Sequence, residues 1–232
     1  MRIADLNWMQ VEAYLREDDR CMLPLGSTEQ HAYQRLAVDT ILAERVAAEA
    51  AEPLGVPVFP ALAYGITPYF MGYPGTLTLS PTTYERVVTE LLAGVRRHGF
   101  RRIVVVNGHG GNGPARPAAE AWAARKDGVA LRWHDWWKAP RTRAAIDEID
   151  PDASHASWME SYAWTRVDGV EVPDSHKPPV ELSGRAELSP ARFRELLGDG
   201  SFGGWYERPD SVMDVVWKVA VEETRAVLSE AW

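Results

Sequence analysis

Four side chains in the first half of the chain are of types that hold divalent cations: Glu29, His31, Asp39 and His109. Glu29 and His31 lie two apart, which in an extended segment turns both to one side. Two carboxylates and two imidazoles offer oxygen and nitrogen donors suited to zinc, manganese or iron. A carboxylate-rich set without cysteine favours an open catalytic site over a closed structural one. Singly, each has a plainer reading: Asp39 as a helix N-cap, Glu29 as a solvated loop acid, His31 as a surface residue, His109 as a loop histidine. Their appearance after successive strands is what argues for a shared site.

The elements that must position them can be read from apolar patterning. Asn7 caps a short helix from Trp8 to about Arg16, and Cys21–Leu25 is a buried strand ending at Gly26. A helix runs from Thr40 to Ala51, and Val56–Phe59 is a second strand weakened by its proline. An aromatic loop from Tyr64 to Gly75 leads into Thr76–Leu79. Ser80-Pro81 opens a helix that Gly99 closes. Arg101–Val106 is the clearest strand, Pro114–Lys126 a helix, and Val129–Trp133 a further strand. The segment 151–204 is irregular, and Glu160 falls on a helix within it. A last helix spans Ser211–Leu228. Strands alternating with helices predict a three-layer α/β/α domain with a mostly parallel sheet, over residues 1–232. Ligands in such sheets bind beyond the carboxyl ends of the strands, where the four donors fall.

Composition limits the partners. The net charge of −8 argues against a nucleic-acid or anionic-membrane surface, leaving a small-molecule substrate as the default. No run approaches a membrane span, and the first residues do not form a secretion signal. The single cysteine, Cys21, reads as a buried structural thiol in a reducing, cytoplasmic setting.

A competing motif lies in the same loop as His109. Gly108-His109-Gly110-Gly111-Asn112-Gly113 fits G-x-G-x-x-G between a strand and a helix, with Asp135 near the offset of a ribose-binding acid. That spacing suits an NAD(P)-dependent oxidoreductase. It leaves Glu29, His31, Asp39, His155 and Glu160 without a task. A non-catalytic metal-binding protein is the remaining alternative.

Pro24-Leu25-Gly26-Ser27-Thr28-Glu29-Gln30-His31, followed by Asp39-Thr40, resembles the first signature of the creatininase family. Asn107–Asn112 is similar to its second, His155-Ala156-Ser157-Trp158-Met159-Glu160-Ser161 to its third, and Tyr73–Thr76 to a family turn. The resemblance implies an amidohydrolase that cleaves an amide, lactam or formamide C–N bond with a metal-activated hydroxide. It implies two divalent ions, with Asp39 bridging, Glu29 and His109 on one ion and His31 on the other, and a homohexamer. Three departures stand out. Ala32-Tyr33-Gln34 replaces Gly-Pro-His, Ser157 replaces a glycine, and Gly111 stands where creatinine-cleaving members carry a glutamate ligand. Glu160 is the expected replacement ligand, or an acid–base group beside His155, whose ordinary pKa of about 6.5 suits proton transfer to a leaving nitrogen. Tyr69, Met71 and Trp158 are the expected substrate contacts, although an aromatic run of this kind also suits an oligomer interface.

Overall fold

A computed structural model describes residues 1–182 and 188–232. Three strands, β1 (Arg20–Leu25), β2 (Arg102–Asn107) and β3 (Ala130–Asp135), form a parallel sheet in the order β1-β2-β3. Their register pairs Leu25 with Asn107 and Asn107 with Asp135. All three carboxyl ends therefore finish level, and the loops that follow open on one edge.

Each strand alternates between two cores, as side-chain periodicity requires. Met22, Val104 and Val106 face a layer built from α2 (Val38–Ala51), α5 (Pro140–Ile149) and α7 (Asp210–Ser229). Cys21, Leu23, Leu25, Ile103 and Val105 face α3 (Pro81–Arg97) and α4 (Ala115–Ala124). Near-continuous apolar strands are what a sheet covered on both faces demands, and the result is the expected three-layer arrangement. Cys21 is fully buried, and burial pushes its thiol well above the ordinary range, so it packs as a structural thiol. Among the described residues, no helix is long and apolar enough to cross a membrane.

Local signals account for most element ends. Asn7 and Gln10 form a reciprocal capping box on α1 (Trp8–Tyr14). Ser80 caps α3, with Pro81 in the first turn. Three expectations need correction. Val56–Phe59 meets β1 through an isolated bridge, Met22 with Val58, and a further bridge, Leu25 with Leu62, lies beyond it, because Pro57 and Pro60 have no N–H to donate to a ladder. Glu160 lies on a three-residue 3-10 turn, Trp158–Glu160, and not on a longer helix. The irregular segment also contains α6 (Pro190–Leu197), capped by Ser189, which packs on the aromatic loop through Phe193 and Phe70.

That irregular segment is organised by one carboxylate. Asp150 Oδ2 accepts from Trp158 Nε1 (3.1 Å) and Trp205 N (3.0 Å), while Oδ1 accepts from Asp152 N (3.1 Å) and faces His176 Nε2 (3.2 Å). Burial alone would raise the Asp150 pKa, but the Trp205 N–H and His176 hold it below the usual value. A depressed carboxylate contributes stability above its unfolded pKa of about 3.9, and that contribution fades as pH falls through the native value. Asp150→Ala should cost about 2–4 kcal/mol in denaturant unfolding at pH 7, as expected for several charge-assisted hydrogen bonds. The difference between wild type and variant should shrink on acidification toward pH 3.

Candidate metal and catalytic site

The loop after β1 folds back on α2. Asp39 is the second residue of α2, inside its first turn, so it does not act as the N-cap; that position is Ala37. This places the carboxylate inward, 3% exposed, where Ser27 Oγ donates to its Oδ2 at 2.8 Å. Asp39 Oδ1 lies 3.1 Å from His31 Nε2, and Oδ2 lies 2.9 Å from His109 Nδ1. Glu29 Oε1 is 3.4 Å from the same His109 nitrogen, and Glu160 Oε2 is 3.9 Å from His31 Nε2. Two triads of donor atoms share Asp39, Glu29–Asp39–His109 and His31–Asp39–Glu160, and a third, Glu29–His31–His155, overlaps them, each with its atoms within 4.8 Å of one another. The four donors singled out by type and spacing thus converge, with Glu160 beside them.

The imidazoles are oriented from behind. His31 Nδ1–H donates to the Glu29 carbonyl (3.2 Å) and His109 Nε2–H to the Ile66 carbonyl (3.0 Å). Each ring thereby presents its other nitrogen to the carboxylates, as metal-ligating histidines do. Glu29 Oε2 is buried without a hydrogen-bond partner. A buried acceptor left open in this way, among two preset ring nitrogens and two further carboxylates, fits divalent cations.

Electrostatics point the same way. Burial pushes Glu29 up to about 7 against the pull of His109, and pushes Glu160 up to about 7 against that of His31. Burial alone would lower both histidines, yet Asp39 lifts His31 to about 10, and Glu29 with Asp39 lifts His109 to about 9. Burial works against Asp39 too, but its two imidazole neighbours hold it well below the carboxylate range. Three buried carboxylates thus draw protons onto their neighbours, the positive charge that bound cations would replace.

His155 sits beside this cluster, its Nδ1 3.6 Å from Glu29 Oε1 and its ring stacked on Phe70 at 4.6 Å. Burial, with His31 nearby, pushes it well below the ordinary histidine value. Gln30, missed in the sequence although it lies inside the first motif, borders His155. Its Oε1 accepts from Ala32 N (3.0 Å) and its Nε2 donates to Gly200 O (3.0 Å) while lying 2.9 Å from His155 Nε2. Ala32, where the family pattern has glycine, has a φ of 48°, and Ala156 has 59°. The turn at Ala156 lets its N–H donate to Glu160 Oε2 at 2.6 Å, which explains why Glu160 reaches the site without a helix.

A cavity of about 620 Å³ opens onto Glu29, Asp39, His109, His155 and Glu160. Tyr69 and Phe70 line it, together with Phe202, for which the sequence carried no signal. Two expected substrate contacts lie elsewhere. Trp158 is fully buried in the core and bonded to Asp150, and Met71 is 45% exposed and outside the cavity lining.

The glycine-rich loop does not offer a dinucleotide cradle. A Cβ at Gly108 would lie 2.4 Å from Asp39 O, and one at Gly111 would lie 1.9 Å from Ile66 O, so the loop is packed against its own chain. Asp135 Oδ1 accepts from Asn107 Nδ2 (2.7 Å) and Trp133 Nε1 (3.0 Å), which ties it into the strand ends. The same packing leaves no room for a glutamate at position 111. Gly111→Ala should destabilise the protein by about 1–3 kcal/mol, the cost of overpacking, in denaturant titration; an unchanged midpoint would contradict this geometry.

A family model described as creatininase, creatinine amidohydrolase, matches residues 4–226. The chain is 34% identical over 114 residues to the creatinine amidohydrolase of Pseudomonas putida, covering 46% of this chain and 44% of that protein. It is 38% identical over 141 residues to the mycofactocin precursor peptide peptidase of Mycolicibacterium smegmatis, covering 58% and 53%. With the 3-dehydro-scyllo-inosose hydrolase of Thermotoga maritima the figures are 33% over 103 residues, 44% and 33%. The matched stretches therefore span about half or less of these curated relatives. A crystal structure of creatinine amidohydrolase (creatininase) shares the fold with a TM-score of 0.78 at 23% identity, covering 99% of this chain and 98% of the other. A Zn–Zn type of a mutant creatininase matches with a TM-score of 0.76 at 23% identity, covering 97% and 95%.

Proposed function

The chain belongs to the creatininase family, and on that premise we propose that it is a metal-dependent amidohydrolase acting on an amide, lactam or formamide C–N bond of a small molecule. The observation that carries this reading is the pair of donor triads sharing Asp39 at the base of a cavity. Glu29, Asp39 and His109 would hold one divalent ion, and His31, Asp39 and Glu160 the other, with zinc, manganese or iron compatible with these donors. When bound, such ions supply a strong nucleophile from water at neutral pH and polarise the carbonyl under attack.

The remaining work falls to the chain. Tyr69, Phe70 and Phe202 exclude water from one wall and strengthen the electrostatics within. His155 is the acid–base group. Its Nε2 lies 2.9 Å from the Gln30 amide nitrogen and 3.1 Å from the Gln30 carbonyl, so that nitrogen has a partner whether or not it carries a proton. Its Nδ1, near Glu29, is the atom that would pass a proton to the departing nitrogen. Burial keeps the ring neutral at rest, so Nδ1 first takes the proton released by the attacking water and then hands it to the departing nitrogen, which returns the ring to its free form.

Gly111 leaves no glutamate where creatinine-cleaving members have one, and creatinine is accordingly expected to be a poor substrate. Exposed Tyr64, Met71 and Leu77 would suit the homo-oligomer, a hexamer by resemblance, that family membership suggests.

The test is a screen of zinc- and manganese-loaded protein over creatinine-like lactams, formamides and short peptides. Turnover of a formamide or lactam is expected, and Asp39→Ala should abolish it together with metal binding. His155→Gln should lower kcat by about 10²–10⁴-fold while metal content stays unchanged. Undiminished kcat in His155→Gln would remove its assigned role, and turnover confined to peptides would redirect the substrate class.

A further inference from the structure

The cavity lining carries two kinds of charged group. Besides the buried carboxylates and histidines, two cationic side chains line it, Lys138 and Arg143, both presented by the segment that follows β3. Arg143 is already engaged. Its guanidinium pairs with Asp147, donates to the Ala153 carbonyl at 3.1 Å and approaches Met159 Sδ at 4.0 Å. Lys138 differs: among the described residues no carboxylate lies within ion-pair distance of it. It is exposed, and its Nζ stands 5.5 Å from the centre of the Trp137 ring, which also lines the cavity.

We propose that Lys138 is a specificity residue, and that the substrate is an amide or formamide bearing a carboxylate away from the bond that breaks. This rests on the hydrolase reading and extends it to the substrate's far end. The metal end takes the carbonyl under attack, which leaves the rest of the cavity lining to recognise the remainder of the substrate. The Lys138 ammonium, without a paired carboxylate among the described residues, is the part of the lining where a negative group finds its counter-charge. A single ammonium matches one carboxylate. A phosphate monoester, close to two negative charges, would remain under-compensated, since the Arg143 charge is neutralised by Asp147. The Trp137 face beside Lys138 gives the methylene linker an apolar surface to lie on.

The experiment uses zinc-loaded protein carrying His155→Gln, in which turnover is slowed while the metal content is kept, and calorimetric binding of N-formyl-4-aminobutyrate and N-formyl-6-aminohexanoate. Their neutral carboxamides and N-formyl-O-phosphoethanolamine serve as comparators. At least one carboxylate should bind about fivefold or more tightly than its carboxamide and than the phosphate ester, the strength of a partly exposed ion pair. Lys138→Ala should erase that difference and Lys138→Arg retain it, and because the side chain is exposed both variants should unfold at the wild-type temperature. Absence of binding, equal binding of acid and carboxamide, tighter binding of the phosphate ester, or a preference that survives Lys138→Ala would each overturn the proposal. The same formamides are then offered to the zinc-loaded wild-type enzyme. If none is hydrolysed while the Lys138-dependent preference stands, the hydrolase reading fails and the carboxylate subsite remains. Hydrolysis of acid and carboxamide at equal kcat/KM would sink the subsite and leave the hydrolase.

Discussion

Burying the Asp39 carboxylate is costly unless something positive stands on each side of it. Both oxygens are met by imidazoles at 3.1 and 2.9 Å, and Ser27 adds a hydroxyl donor. Much of the surrounding architecture follows from that requirement. The first turn of α2 must approach the loop after β2 closely, which is why position 108 has no room for a side chain against the Asp39 carbonyl. Each imidazole must be turned from behind by a main-chain carbonyl, and the aromatic loop contributes one of these through Ile66. The asparagines of the second motif hold the same loops in register: Asn112 Nδ2 donates to Gly26 O, and its Oδ1 accepts from Ile66 N. The parallel sheet is the frame that makes this possible, because its three strands end level and deliver their loops to one place.

The charge arrangement links this constraint to function. Three buried carboxylates in one cluster leave an excess of negative charge that protons on His31 and His109 offset in the absence of cations. Such a cluster would be a poor structural core, since removing any partner exposes an uncompensated charge to low dielectric. Its persistence beside an open cavity is intelligible as a binding site, with stability given up locally for the sake of chemistry.

Legibility in the sequence divided along physical lines. Strands buried on both faces, and helices with a serine cap and proline in the first turn, were readable because their signals are local. The same Ser-Pro signal at Ser189-Pro190 marks α6, yet it is surrounded by loop-like composition. Pro57 and Pro60 reduced an expected strand to bridges, an outcome their missing N–H groups foretold. Glu29, His31, Asp39 and His109 could be grouped by type and by placement after strands, whereas Asp39 alone resembled a helix cap. What the sequence did not carry were facts of tertiary geometry: that Ala156 turns through positive φ and carries Glu160 back into the site, that Trp158 belongs to the core through Asp150, and that Phe202 closes over His155 from a distant loop. None of these has a period or a spacing that could announce it.

The central claim is that Asp39 is shared by two adjacent cation sites. Zinc titration of the metal-free protein, followed by metal analysis after removal of excess ion, tests it most directly. The account predicts two ions per chain in the wild type and loss of both in Asp39→Ala, because the two triads have that carboxylate in common. One ion per chain in the wild type, or full zinc retention in Asp39→Ala, would contradict it.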